Sequence, residues 1–233
     1  MLRSSIIFVL IIACTSCSND HKATGLGAIA GGLHNLFHHG SQQPVPVDRE
    51  PSHHLVLAND YIRVFRVDLA PHATMPLHRH DHDYIGIPLV ASDLTNTAEG
   101  QQPVKVHWEA GEAHFGAAPL KHVVTNNSDL PFRNYTIELL KHGEVQLKAG
   151  ENERGVNLLE GGTIESLFIK DGVRAIDIKL NPGVSVSGPH LARPHLLIDI
   201  SPDDQKVQWF NAGEGTSLKN SASQPARYLL LEF

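Results

Sequence analysis

The feature that most constrains the fold is a series of short β-rich segments that begins at His54 and continues to the C-terminus. Glycine, proline, asparagine and aspartate separate these segments, and none has the long apolar period of an amphipathic helix. Many short strands joined by turns are typical of β-sandwiches and β-barrels. We therefore predict an all-β protein with strands at Tyr61–Leu69, Tyr84–Val90, Val104–Trp108, Tyr135–Leu140, Val173–Leu180, Leu196–Ile200, Lys206–Phe210 and Arg227–Phe233.

The strand series contains an internal repeat. Several segments of its first half have similar segments, in the same order, in its second half. Such ordered matches indicate a duplication. We predict two β modules, residues 51–150 and 160–233, from the pairs Asn59–Val64 with Lys170–Ala175, Trp108–Glu112 with Trp209–Glu214, and Asn127–Ser128 with Asn220–Ser221.

Composition narrows the classes of function. The chain has 233 residues, 19 Lys+Arg against 25 Asp+Glu, and a net charge of −6, which argues against nucleic-acid binding. A hydrophobic fraction of 41% is enough for a buried core. There are 16 histidines but only two cysteines, Cys14 and Cys17, both near the N-terminus. A metal ion in either module must therefore be held by histidine and carboxylate.

Residues 1–17 have the three-part layout of an export signal. A basic start at Arg3 is followed by the apolar run Ile6–Ala13 and then by small residues and cysteine. The run is too short to cross a bilayer. We therefore expect this protein to be exported.

The end of this segment resembles the bacterial lipobox, in which cleavage leaves a cysteine that becomes lipidated. Ile11–Ala13 is the better match and favours Cys14, whereas Ser18–Asp20 looks like a mature lipoprotein start and favours Cys17. Lipidation of Cys17 or Cys14 would anchor the protein to the cell envelope, at the outer membrane or the periplasmic face. Residues 18–50 are rich in glycine, glutamine and proline, and we expect a flexible linker there.

Two segments of the first module contain histidines in a pattern that suits metal binding. His78, His80 and His82 alternate, and alternate residues of a strand share one face, so a strand can present two imidazoles to one ion. A third imidazole must come from elsewhere. After the turn at Gly116–Pro119, His122 opens another β-rich run.

These segments resemble the two motifs of the cupin superfamily. The first motif has His-x-His after a glycine or proline turn, and the second has a histidine shortly after a Gly-x-Pro-like turn, with asparagine four residues later. The resemblance covers residues 55–140 well and 164–233 weakly. It implies a double-stranded β-helix (cupin jelly roll) in each module, with metal ligands His78, His80 and His122, and Asn126 in the asparagine position.

One position departs from the cupin pattern. The glutamate of the first motif would fall on Tyr84 or Ile85, and neither can act as a carboxylate ligand. Asp83 is the nearest replacement, and its alternation with Ile85 and Ile87 predicts that it points into the barrel as fourth ligand. The alternative is a three-histidine site with water in the open positions. We expect His82, His114 and Asn126 to lie beside the ligands.

The second module lacks this histidine pattern. Its counterpart of the first motif is Gly188–His195, in which Ala192 replaces the second histidine. The stretch between Gly213 and Asn220 is short, so we predict no counterpart of the segment that holds His122. We expect this half to bind no metal there and instead to complete the fold, cover a sheet edge or shape a pocket.

Two hypotheses for function follow. In the first, the chain is a binding protein that holds a divalent metal ion (Fe, Mn, Ni or Zn) and a small organic ligand. In the second, the cupin resemblance implies a mononuclear metal-dependent dioxygenase or related enzyme for a small organic substrate, with Asp83 or His82 as base. The N-terminal lipid would supply contact with the membrane, and pairing through sheets, common among cupins, would give a homodimer.

Overall fold

The computed structural model describes residues 43–146, 154–201 and 205–233, with the backbone alone for 187–190. This part of the chain is built from strands and one short 3₁₀ helix, Val47–Arg49. The prediction of an all-β fold is confirmed. No helix within these ranges is long and apolar enough to cross a membrane. The predicted leader, Cys14, Cys17 and most of the predicted linker lie outside the described residues.

The first module contains two five-stranded sheets. Its strands are β1 Val45–Pro46, β2 His53–Ala58, β3 Ile62–Leu69, β4 His78–His80, β5 Tyr84–Pro88, β6 Ser92–Ala98, β7 Val104–Trp108, β8 His114–Gly116, β9 Leu120–Asn126 and β10 Phe132–Leu139. Sheet A has the order β1-β4-β9-β6-β7 and sheet B the order β2-β3-β10-β5-β8. An apolar cluster joins the facing sides of the sheets at one end of the barrel, where Val67 and Phe132 of sheet B meet Leu94 and Val124 of sheet A.

The second module repeats this arrangement in a reduced form. Its strands are β11 Gly155–Leu159, β12 Gly162–Lys170, β13 Val173–Leu180, β14 Ser185–His190, β15 His195–Asp199, β16 Val207–Phe210, β17 Gly215–Lys219 and β18 Ala226–Glu232. Sheet C has the order β11-β12-β13-β18-β15-β16, and β14 pairs with β17. The two modules together form the duplicated jelly roll that the sequence predicts.

Equivalent residues of the two modules confirm the duplication. Arg63 lies opposite Glu138 between β3 and β10, and Arg174 lies opposite Glu232 between β13 and β18. The buried amide of Asn126 donates to the carbonyls of Leu69 and Leu130, and the amide of Asn220 donates in the same way to Leu180 and Gln224. Asn220 therefore corresponds to Asn126, one residue before the sequence-based match at Asn127.

This equivalence also corrects the prediction that the segment of His122 has no counterpart. Strand β17 pairs with β14 as β9 pairs with β4. Buried Thr216 stands four residues before Asn220, as His122 stands four residues before Asn126. The second module therefore keeps this strand and has threonine at the position of the histidine.

The second module covers the outer face of sheet B. Along β10, Tyr135, Ile137 and Leu139 face away from the barrel and pack with Leu229 and Leu231 of sheet C. The guanidinium of Arg227 adds hydrogen bonds to the carbonyls of Ala110 and Gly111. The second module thus covers a sheet face, where the sequence suggested a sheet edge among other roles.

Residues 45–50 belong to the folded first module, although the sequence analysis places them in the linker. Val45 and Pro46 pair in parallel with His78 and Arg79 of β4. The side chain of Val47 is buried, and so is that of Glu50. The short strand was not visible in the sequence because two residues give no alternation.

Candidate metal centre

Four histidines meet inside the first module, at the end of the barrel opposite its apolar cluster. His78 and His80 lie on β4, and His122 lies beside His78 on β9. His53 comes from β2, in the other sheet, and its ring centroid is 5.3 Å from that of His78. One ligand nitrogen from each of His53, His78 and His80 lies within 4.8 Å of the others. The ring of His122 is 4.4 Å from that of His78 and 5.2 Å from that of His80.

Hydrogen bonds fix the orientation of three of these imidazoles through Nδ1. In His78, Nδ1 donates to the carbonyl of Pro76 at 3.0 Å, and in His122 it donates to Oδ1 of Asn96 at 2.9 Å. In His53, Nδ1 donates to the carboxylate of Glu50 at 2.5 Å. A neutral imidazole that carries its proton on Nδ1 has its lone pair on Nε2. Histidine ligands held in this way are typical of metal centres.

Burial keeps the imidazoles of His78, His80 and His122 unprotonated at neutral pH. Burial lowers the pKa of His78 to about 4, and the charge of nearby His53 adds to this effect. Burial also lowers the pKa of His80 and of His122, and the neighbouring histidines lower them further. Lone pairs are therefore available at pH 7, which metal coordination requires.

Several buried polar atoms around the cluster have no hydrogen-bond partner within the described residues. They are Nε2 of His122, Nδ1 of His80 and Oε1 of Glu138. An unpaired buried polar atom is costly, and a bound cation would satisfy such atoms. The donor set, imidazole nitrogen with a nearby carboxylate, suits Fe, Ni or Zn. The residues present therefore fit a divalent metal ion.

Glu138 is the carboxylate of this site. It lies on β10, its side chain is fully buried, and Oε1 is 4.0 Å from Nδ1 of His80. Its other oxygen, Oε2, accepts hydrogen bonds from Arg63, with Nη2 at 2.6 Å. Burial raises the pKa of Glu138, and Arg63 offsets only part of that rise.

Tyr84 occupies the position where the cupin pattern has glutamate. Its ring stacks on that of His80 with centroids 4.3 Å apart. Burial raises the pKa of the Tyr84 hydroxyl. The side chain therefore acts as an aromatic wall of the histidine cluster.

The prediction that Asp83 points into the barrel is wrong. Alternation correctly groups Asp83 with Ile85 and Ile87, but these isoleucines pack in the core shared with the second module. Asp83 accepts a hydrogen bond from the backbone of Ala118 at 2.6 Å. Burial and a hydrogen bond to Asp83 raise the pKa of Asp171 in the second module. Asp83 therefore lies between the modules.

None of the other three predicted residues joins the histidine cluster, and His114 and Asn126 lie instead at the other end of the barrel, where Trp108 and Leu94 pack in the apolar cluster. His82 is on the loop after β4 and lines the clefts at the barrel surface. His114 stacks on Trp108 at 4.3 Å, and its Nε2 is 3.1 Å from Glu112. Asn126 is a structural residue, because its amide holds backbone carbonyls of neighbouring turns.

Sequence reasoning missed His53, Glu50 and Glu138. His53 stands beside another histidine, His54, and no spacing relates either one to His78. Their exposure separates them in the structure, because His53 is buried and His54 is exposed. Glu138 sits in a strand that is buried on both faces, and a buried carboxylate is a signal for a paired or liganded charge.

A surface cleft of about 240 Å³ adjoins the cluster through Arg63. Its lining also includes Arg49 and Arg79, together with Asp48 and Asp81. Arg63 connects this cleft to the buried site, because it binds Glu138 and its Nη1 lies 3.6 Å from Asp48.

The fold is shared with solved structures of low sequence identity. AerE from Microcystis aeruginosa matches with a TM-score of 0.54 and 15% identity, over 81% of this chain and 97% of that one. Oxalate decarboxylase from Bacillus subtilis matches with a TM-score of 0.54 and 11% identity, over 74% of this chain and 68% of that one. A cupin domain from Bordetella pertussis aligns with 37% of this chain and 90% of its own length, at 23% identity and a TM-score of 0.36. No protein-family model and no curated protein sequence matches this chain.

Proposed function

The chain has the duplicated cupin fold, and on that premise we propose that its first module binds one divalent transition-metal ion in the histidine cluster. His53, His78 and His80 would hold the ion, together with His122, and the Glu138 carboxylate would lie beside it. The single observation that carries this proposal is the convergence of buried imidazoles from three strands and both sheets on one point. An ion bound there would act as a Lewis acid toward an oxygen atom of a ligand.

The experiment is elemental analysis of the full chain, produced without a histidine tag and measured both as purified and after loading with Fe(II), Mn(II), Ni(II) or Zn(II). We expect one metal ion per chain in the wild type. We expect its loss in His78→Ala and in His122→Ala, because each variant removes a buried donor. Far-UV circular dichroism serves to check that each variant keeps its β-strands.

His72→Ala is the matched control. Its imidazole is exposed, and Nε2 contacts the equally exposed carboxylate of Asp129 at 3.0 Å. This variant is expected to keep the metal. If the wild type takes up no metal under any loading condition, the proposal is wrong.

We also propose that a small organic ligand enters through the cleft beside Arg63. The cleft has the size of a small molecule, and Arg63 contacts both the cleft and Glu138. Binding of a ligand without turnover is the simplest function for this arrangement. Oxygen uptake or product formation by the metal-loaded protein, with candidate substrates, would instead identify an enzyme.

We further propose that the protein is a lipoprotein of the cell envelope. Support comes from the export signal and from the lipobox-like segments before Cys14 and Cys17. Metabolic labelling with a fatty acid tests this proposal. Label lost in Cys17→Ser alone would assign lipidation to Cys17, and label lost in Cys14→Ser alone would assign it to Cys14. No label in the wild type would contradict the proposal.

A further inference from the structure

We propose that Glu50 positions His53 as a metal ligand, and that the bound ion thereby fastens the N-terminal strap, residues 45–53, to the barrel. This inference rests on the proposed function. It adds a structural consequence. Metal binding would stabilise the attachment of the strap, through which the chain enters the folded module.

The contacts of Glu50 are those of a positioning carboxylate. Glu50 is 2% exposed, and its Oε2 accepts hydrogen bonds from Nδ1 of His53 at 2.5 Å and from the backbone of Ser52 at 2.9 Å. Because Oε2 of Glu50 accepts the hydrogen bond from Nδ1 of His53, the proton of the imidazole lies on Nδ1 and the lone pair on Nε2.

The hydrogen bonds to His53 and Ser52 use only one oxygen of the Glu50 carboxylate. The other oxygen, Oε1, is buried without a hydrogen-bond partner within the described residues. A buried carboxylate oxygen of this kind is costly unless a positive charge lies nearby. A cation on the far nitrogen of His53 would supply that charge through the ring and strengthen the hydrogen bond to Glu50.

The position of His53 in the fold explains how the Glu50–His53 pair would affect the attachment of the strap. Strand β1 is the first strand of sheet A, and β2 is the first strand of sheet B, so the strap runs from the edge of one sheet to the edge of the other. Pairing attaches β1 to β4 over only two residues. An ion shared by His53 of β2 and His78 of β4 would join the two sheets beside the edges that the strap connects.

Co(II) binding to the full chain tests the role of Glu50. We expect Glu50→Gln and His53→Ala to weaken Co(II) binding by about 10- to 100-fold, and to change its visible absorption spectrum, because a ligand is lost or misaligned. His54→Ala and Glu99→Gln are the controls, since both side chains are exposed, and we expect wild-type affinity for them.

Hydrogen exchange of the strap is the second measurement. In the wild type, Co(II) should slow exchange of the backbone amides of the strap, which all its residues except Pro46 and Pro51 carry, by about tenfold, because opening of the strap would then break a metal–ligand bond. This protection should disappear in Glu50→Gln. Unchanged exchange in the metal-loaded wild type overturns the inference even if Glu50→Gln fails to fold.

The outcomes separate this inference from the proposed function. If the wild type binds no Co(II), the proposed function fails. If His78→Ala abolishes binding while Glu50→Gln and His53→Ala bind as the wild type does, the metal site stands and the role of the strap is refuted.

Discussion

The buried side-chain amides of Asn126 and Asn220 make equivalent hydrogen bonds to backbone carbonyls in the two modules. Replacing Asn126 by alanine removes the side-chain donor to the carbonyls of Leu69 and Leu130, whereas the carbonyl of Ala70 keeps the backbone donor of Ala73. We expect Asn126→Ala to lower the free energy of unfolding by about 2–4 kcal/mol, because buried unpaired carbonyls are costly. Asn220→Ala should have a similar effect, measured for both by urea unfolding of the full chain.

Asn127→Ala is the matched control for this prediction. The neighbouring side chain is exposed and donates only to Oγ1 of Thr95. Its removal should cost no more than about 0.5 kcal/mol. Equal losses in Asn126→Ala and Asn127→Ala would contradict the structural role of Asn126.

The buried imidazole of His78 should make the metal-free protein sensitive to acid. Burial lowers the pKa of His78 from 6.5 to about 4, so the unfolded chain takes up the proton first as the pH falls. The free energy of unfolding should therefore be highest above pH 7 and fall by about 2 kcal/mol by pH 5 from this residue alone. His80 and His122 act in the same direction.

Urea unfolding in the presence of a chelator, at pH 7.5 and at pH 5, measures this loss. His78→Gln should lose less stability between the two pH values than the wild type. The pKa of His107 is instead raised by the hydrogen bond to Asp93, which favours the folded state at low pH, so His107→Gln should lose at least as much stability as the wild type. Stability that does not change between these pH values would count against a buried neutral cluster.

The sequence could place side chains near one another where residue chemistry and strand spacing occur together. His78, His80 and His122 could be found because alternation on a strand and a turn before the next strand define their positions. His53 and Glu138 reach the same point only through strand pairing, His53 opposite Val67 and Glu138 opposite Tyr84. Residues that come together only because strands distant in the chain pair with each other leave no local pattern in the sequence.

At the scale of elements, strands β5 and β8 approach closely beside the histidine cluster. A Cβ atom added at Gly116 of β8 would lie 2.3–2.7 Å from the ring and hydroxyl of Tyr84. The Tyr84 ring would have to shift, and it stacks on His80. We therefore expect Gly116→Ala to weaken Co(II) binding and to lower the free energy of unfolding, measured by titration and urea unfolding.

Gly155→Ala is the control for this change. A Cβ at Gly155 meets no atom within 4 Å, so this variant should match the wild type in both measurements. Wild-type Co(II) affinity in Gly116→Ala would show that Tyr84 can move without disturbing His80.

The strand periodicity of β5 and β10 could be predicted, but not which face lies inside the barrel. Both faces of β10 are buried, with Asn134, Thr136 and Glu138 toward the barrel and apolar residues toward sheet C. An alternating pattern normally places its apolar side in the core. Here the interior of the barrel is the more polar side, which is why the orientation inferred for Asp83 was wrong.

At the scale of the whole molecule, the sequence predicted two modules but not how they meet. One apolar core combines Ile85 and Ile137 of sheet B with Leu196, Leu229 and Leu231 of sheet C. Without the second module, sheet B would expose this apolar face to water. We therefore expect the second module to stabilise the first.

A shared core predicts that the two modules unfold together. The chain has two tryptophans, Trp108 in the first module and Trp209 in the second. Trp209→Phe and Trp108→Phe thus give two proteins, each with one fluorescent reporter. We expect the same urea midpoint from both reporters, because side chains of both modules fill one core.

Leu229→Ala extends this test. Its side chain is fully buried in the shared core, so its removal should cost about 2–5 kcal/mol. The midpoint reported by Trp108 should fall as far as that reported by Trp209, although Leu229 belongs to the second module. Leu158→Ala, at a position 86% exposed in β11, should move neither midpoint. A fall at Trp209 with no change at Trp108 would mean that the modules fold independently, and the first module would then hold its histidine cluster without support from the second.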